Sequence, residues 1–103
     1  MVLLSGGENK LIDNTVTNSK GDGIFVGPFT ADTVLRGNRV LYNEDDGIEV
    51  QSAGTRIGYN RTALNGNYGI DAVPGVTDFG GNTASDNGNP AQCRNVLCAQ
   101  EAP

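Results

Sequence analysis

The residues of this chain with the most chemical capacity fall into three sets. In the first, Arg39 and Arg61 each follow an asparagine, while Glu49 and Asp71 each follow an isoleucine. Two guanidiniums held side by side repel unless an anion is shared between them, and a uronate carboxylate suits such a pair because arginine binds carboxylates as a fork. Arg39, Arg61, Glu49 and Asp71 are therefore the candidate contacts for a polysaccharide. In the second set, Asp22, Asp45 and Asp46 cluster before Gly-Ile steps, with Glu44 close by. Oxygen ligands gathered on adjacent turns are what calcium takes, although Asp-Gly is equally ordinary turn chemistry. The third set is Cys93 and Cys98. Zinc needs about four ligands, and the chain has no His to complete a site. A short-loop disulfide is the better reading and two reduced thiols the alternative; a disulfide would point to an extracytoplasmic protein.

What must position these side chains is a repeat. Asn14, Asn38, Asn60 and Asn82 are separated by 24, 22 and 22 residues. Five residues before them stand Asn9, Thr33, Thr55 and Thr77, and three before them Leu11, Leu35, Ile57 and Phe79. Nine after the first three come Gly23, Gly47 and Gly69, followed by Ile24, Ile48 and Ile70. Each repeat holds three short stretches of period-two character, such as Lys10-Leu11-Ile12 and Thr15-Val16-Thr17, and none has sustained helical periodicity. The 15 Gly and 12 Asn supply the turns between them.

Three strands per repeat make one coil, and equivalent strands of successive coils stack in parallel at about 4.8 Å. The expected fold is all-β, a right-handed single-stranded parallel β-helix of about 3.5 coils over residues 1–87. Residues 88–103 are expected to be a closing segment that carries the cysteine pair, with Pro90 ending strand pairing. Leu11, Leu35, Ile57 and Phe79 should stack inward, as should Ile24, Ile48 and Ile70. The four ladder asparagines are expected to adopt the left-handed conformation at a sharp bend and to stack their amides. The glycosylation-like triplet Asn60-Arg61-Thr62 then belongs to the ladder and is structural.

The pattern Asn-x-Val-x-x-Asn-x-x-Asp-Gly-Ile-x-Val resembles the parallel β-helix repeat of pectate-lyase-like proteins, which include polygalacturonases, alginate epimerases and many secreted proteins. The resemblance covers residues 2 to 87 and speaks to coil geometry more than to activity. The tail from Asn87 through Cys98 resembles the closing segment of bacterial secreted β-helix proteins. Enzymes of this kind work on a solvent-facing sheet, and uronate lyases among them use calcium to bridge enzyme and substrate. Tyr68-Gly69-Ile70-Asp71 is similar to the start of the alginate epimerase signature, which continues Pro-His-Asp; here Ala72-Val73-Pro74 follows. The Asp-containing motifs of polygalacturonases have no match.

A net charge of −5 argues against nucleic acid as a partner. No apolar run approaches a membrane span, and Met1-Val2-Leu3-Leu4 is too short for a signal peptide. Val2 precedes Asn14 by the same twelve residues that separate Val26 from Asn38, so the sequence enters in mid-coil. Upstream β-helix coils or another subunit are expected to cover that end, because an open coil exposes unpaired strand edges. The leading expectation is a structural or binding segment of a secreted or cell-surface protein that contacts polysaccharide and requires no cofactor, with calcium as the optional one. One alternative is the distal coils of a polysaccharide lyase or glycoside hydrolase whose catalytic residues lie upstream. Another is an oligomerisation module acting through the N-terminal coil.

Overall fold

A computed structural model describes residues 1–100. The first coil holds β1 (Val2–Leu4), β2 (Lys10–Ile12) and β3 (Thr15–Thr17), and the second β4 (Ile24–Val26), β5 (Thr33–Arg36) and β6 (Arg39–Leu41). The third holds β7 (Ile48–Val50), β8 (Thr55–Gly58) and β9 (Arg61–Ala63), and the fourth β10 (Ile70–Ala72), β11 (Thr77–Asp78) and β12 (Thr83–Ser85). A last strand, β13 (Cys93–Arg94), follows in the tail. They form three parallel sheets, ordered β1-β4-β7-β10-β13, β11-β8-β5-β2 and β12-β9-β6-β3. The described chain is thus an all-β solenoid of about four turns with no helix.

Period-two alternation decides what enters the core. In β4, β7 and β10 the outer two residues of each triplet are buried and the middle one is half-buried. Ile24, Ile48 and Ile70 stack in register, as do Val26, Val50 and Ala72. Leu35 lies on Ile57 and Val40 on Thr62, which closes the core from the other two sheets. Each fully buried aliphatic side chain here contributes roughly 1.5–3 kcal/mol.

The ladder asparagines differ from expectation in one respect. They are not left-handed; the residues before them are, with φ of 58° at Asp13, 71° at Gly37, 56° at Tyr59 and 75° at Gly81. The preceding residue makes the bend, and the asparagine side chain turns inward. Its Oδ1 accepts the backbone N–H of the asparagine one coil earlier, at 3.0 Å from Asn14 to Asn38, from Asn38 to Asn60 and from Asn60 to Asn82. The Nδ2 groups of Asn38 and Asn60 donate to the carbonyls of Leu11 and Leu35. At a bend the sheet ladder lapses, so buried peptide groups need a side chain that both accepts and donates. Asn60 is buried, as a structural role for its triplet requires.

A second ladder, five residues further on, repeats the device. Ser19 N–H donates to Asn43 Oδ1, Asn43 N–H to Asn65 Oδ1 and Asn65 N–H to Asn87 Oδ1, each at 3.0 Å. Gln92 closes it: its Oε1 receives Asn87 N–H at 3.1 Å and Asn87 Nδ2 at 2.9 Å.

Two further expectations are corrected at the C-terminal end. Ile57 faces Asp78, not Phe79. β11 pairs one residue out of step with the repeat, and Phe79-Gly80-Gly81 absorbs the difference before Asn82 rejoins its ladder. The slip places the Asp78 carboxylate within reach of Gly80 N–H at 2.9 Å, Asn82 Nδ2 at 3.2 Å and Leu97 N–H at 2.9 Å. Phe79 is turned outward. Strand pairing also continues past Pro90, since Cys93 and Arg94 pair in parallel with Ile70 and Asp71. Proline stands in the preceding turn, where its missing N–H is not called upon. Cys93 and Cys98 are joined in a disulfide.

Candidate functional site

Because the flanking residues of β4, β7 and β10 point inward, the middle ones form an outward column: Leu3, Phe25, Glu49, Asp71 and Arg94. Neighbours in it are one strand spacing apart, about 4.8 Å. Arg94 grips Asp71 with both ends of its fork, Nε to Oδ1 at 2.7 Å and Nη2 to Oδ2 at 2.8 Å. Its guanidinium carbon stands 5.1 Å from the centre of the Tyr68 ring. The hydrogen bond and charge of Asp71 raise the arginine pKa above its usual value. Glu49, Gln51, Asp71, Pro74, Arg94 and Asn95 line a groove of about 290 Å³ along this column.

Glu49 is held above the ordinary carboxylate range, chiefly by burial and then by the charges of Asp71 and Asp45; hydrogen bonds with Asp46 and Gln51 act the other way. The Gln51 amide donates to Glu49 Oε2 at 3.2 Å. Beside the column lie Asp22 and Asp46, both buried. Asp22 Oδ1 accepts Asp46 N–H at 3.0 Å, and Asp46 Oδ1 accepts Tyr68 N–H at 2.9 Å. They form a short aspartate ladder that ends where the next coil carries Tyr68. Burial pushes Asp22 up to about 6 and Asp46 up to about 7, with neighbouring carboxylates adding to both.

Carboxylate oxygens of Asp22, Asp45 and Asp46 lie within 4.8 Å of one another, and so do those of Asp46, Glu49 and Asp71. Asp46 joins the two groups. The donors are all hard oxygens, the chemistry that calcium prefers. One oxygen each of Asp22 and Asp46 is already engaged by a backbone N–H.

The four candidate polysaccharide contacts separate into two pairs. Glu49 and Asp71 are register partners on the five-stranded sheet. Arg39 and Arg61 are register partners on β6 and β9, flanked in their column by Thr15 and Thr83, on another sheet. Sequence spacing found each pair but not their separation. It also missed Arg94, whose only signal is its 23-residue distance from Asp71, in a tail without the Gly-Ile step.

Stacked parallel sheets and ladders of buried side-chain amides define a β-solenoid domain. Residues 1–96 match the family model described as the right handed beta helix region, and the chain belongs to that family. No curated protein and no solved structure matches it.

Proposed function

We propose that this β-helix domain is a binding scaffold that contacts polysaccharide through the outer face of its five-stranded sheet, in a secreted or cell-surface protein. The observation that carries this is the alignment of Glu49, Asp71 and Arg94 in one column along a single groove. Ionised groups make the strongest hydrogen bonds to hydroxyls, and here they sit on a rigid sheet at a regular spacing. Phe25, next in the column, adds an apolar face beside them. The Cys93–Cys98 disulfide supports an oxidising compartment.

Glycan-array screening followed by calorimetry tests the proposal. Glu49→Gln and Asp71→Asn should each weaken the best hit by about tenfold, the loss of roughly one charged hydrogen bond. Hits bound equally by wild type and both variants would retire this face.

A second proposal is a calcium-type cation at Asp22, Asp45 and Asp46, favoured by the approach of their carboxylate oxygens to within 4.8 Å of one another. Burial holds Asp22 and Asp46 up to about 6 and about 7, so they keep part of their protons near neutral pH, and a cation would displace them. Calcium should release protons into weak buffer and raise Tm, and Asp46→Asn should abolish both effects. No release and no Tm change in the wild type would end the proposal.

A further inference from the structure

We infer that the corner between the second and third sheets, built on Tyr59 and Phe79, is a separate saccharide-binding site for a sugar unit bearing a carboxylate or sulfate. Tyr59 occupies the left-handed position that Asp13, Gly37 and Gly81 fill in the other coils. Placing an aromatic residue there costs on the order of 1 kcal/mol. The core gains nothing from it, since the side chain points outward and the residue is 56% exposed.

The surroundings are cut to fit the two rings. A Cβ on Gly81 would stand 2.3 Å from Tyr59 Cδ1, and one on Gly58 would stand 2.3 Å from Phe79 Cε2. The ring centres are 6.0 Å apart and their planes tilt by 54°, which leaves a shallow aromatic trough. Arg36 covers one side, its Cζ 5.5 Å from the Tyr59 centroid. Among the described residues this guanidinium has no hydrogen bond or ion pair, so stacking orients it while its N–H edge remains available to an oxyanion.

The adjoining sheet is positive. Lys10, Val34, Arg56 and Thr77 make one outward column, and Val34, Arg56, Thr77 and Phe79 line a groove of about 350 Å³. The sole acid on the four strands of that sheet, Asp78, is engaged by three donors of the chain's own. Lys10, Arg36 and Arg56 are therefore not neutralised from within their sheet, in a molecule whose net charge is −5.

Aromatic faces are electron-rich and attract the apolar C–H face of a pyranose, while the cations select an acidic substituent. The coil spacing of about 4.8 Å is close to the length of one pyranose unit, so cations on successive coils can meet successive sugars. This favours a saccharide over an acidic peptide. The site is independent of the Glu49–Asp71–Arg94 groove, which lies on a different sheet.

The test uses a galacturonate hexamer, a sulfated hexasaccharide, a neutral cellohexaose and an oligo-aspartate peptide, with amide NMR and calorimetry as readouts. Tyr59→Gly should keep the fold, because glycine already serves this bend at Gly37 and Gly81. Arg36→Gln is the second variant and leaves the bend untouched. At least one acidic hexasaccharide should shift the amide signals around Asn60 and Gly81 and bind more tightly than the neutral one. Tyr59→Gly and Arg36→Gln should each weaken it by about tenfold, the loss of one stacking or charged contact. The inference is overturned if neither acidic hexasaccharide moves those signals. It is equally overturned if both variants bind like wild type, or if the peptide outcompetes the saccharides at this corner.

Discussion

The Asp78 carboxylate receives the side-chain amide of Asn82 at 3.2 Å, and with that contact the first asparagine ladder ends. Every earlier asparagine donates to an acceptor in the coils, whereas the last must find a terminal partner. Asp78 supplies it by entering the column where Phe79 would otherwise stand. Its other oxygen holds Leu97 N–H, so one carboxylate both caps a ladder and anchors the tail.

Asp78→Ala should accordingly destabilise the domain by about 2–3 kcal/mol, since it leaves several donors without their acceptor. Urea denaturation would measure the loss, and hydrogen exchange at Leu97 should rise more than at Ile24. A change below 0.5 kcal/mol, the scale of an ordinary surface substitution, would contradict the capping role.

Asn60→Ala should be more severe. Asn38 N–H, the Leu35 carbonyl and Asn82 Oδ1 would each lose a partner in a buried setting. A loss of about 3–5 kcal/mol is expected, a large share of the 5–15 kcal/mol typical of a domain. Asn14→Ala, at an exposed position, should lose less than about 1 kcal/mol. Equal losses at the two positions would refute the role assigned to burial.

The aspartate ladder predicts a pH dependence of known sign. Asp22 and Asp46 are raised from the ordinary aspartate value of 3.8 to about 6 and about 7 in the folded state, so between those limits the folded chain binds more protons than the unfolded one. Their contribution to stability is greatest below pH 4 and declines as pH rises through 6 and 7. Asp46→Asn keeps an acceptor for Tyr68 N–H without the charge. It should raise Tm at pH 8 by roughly 4–8 °C, about 1 kcal/mol, and flatten the fall in stability between pH 5 and 8. A variant less stable than wild type at pH 8 would contradict this account.

Reduction of Cys93–Cys98 should cost about 2 kcal/mol, as expected for closing a short loop. The loss should fall on the end of the solenoid. Amide protection at Cys93 and Ala99 should drop, while that at Ile24 and Ile48 follows global stability alone.

Much of this architecture is written in the spacing of single residues. Asn14, Asn38, Asn60 and Asn82, with Ile24, Ile48 and Ile70, determine coil length and parallel stacking, because each position is satisfied only by its own equivalent one coil away. The adjacency of Glu49 with Asp71 and of Arg39 with Arg61 follows from the same period. The second ladder through Asn43, Asn65 and Asn87 was equally legible, since it keeps the same 22-residue step.

Other relationships were decided only once the coils had stacked. Which residue at the bend is left-handed depends on which side chain can reach a buried peptide group of the next coil, and that distance is absent from the order of residues. The slip that admits Asp78 and expels Phe79 was settled by hydrogen-bond donors from Gly80, Asn82 and Leu97 converging on one carboxylate. The pairing of Arg94 with Asp71, and of Tyr59 with Phe79 and Arg36, likewise joins residues from different coils. A repeat specifies what recurs; contacts made by residues that occur once are selected by what lies within reach in three dimensions.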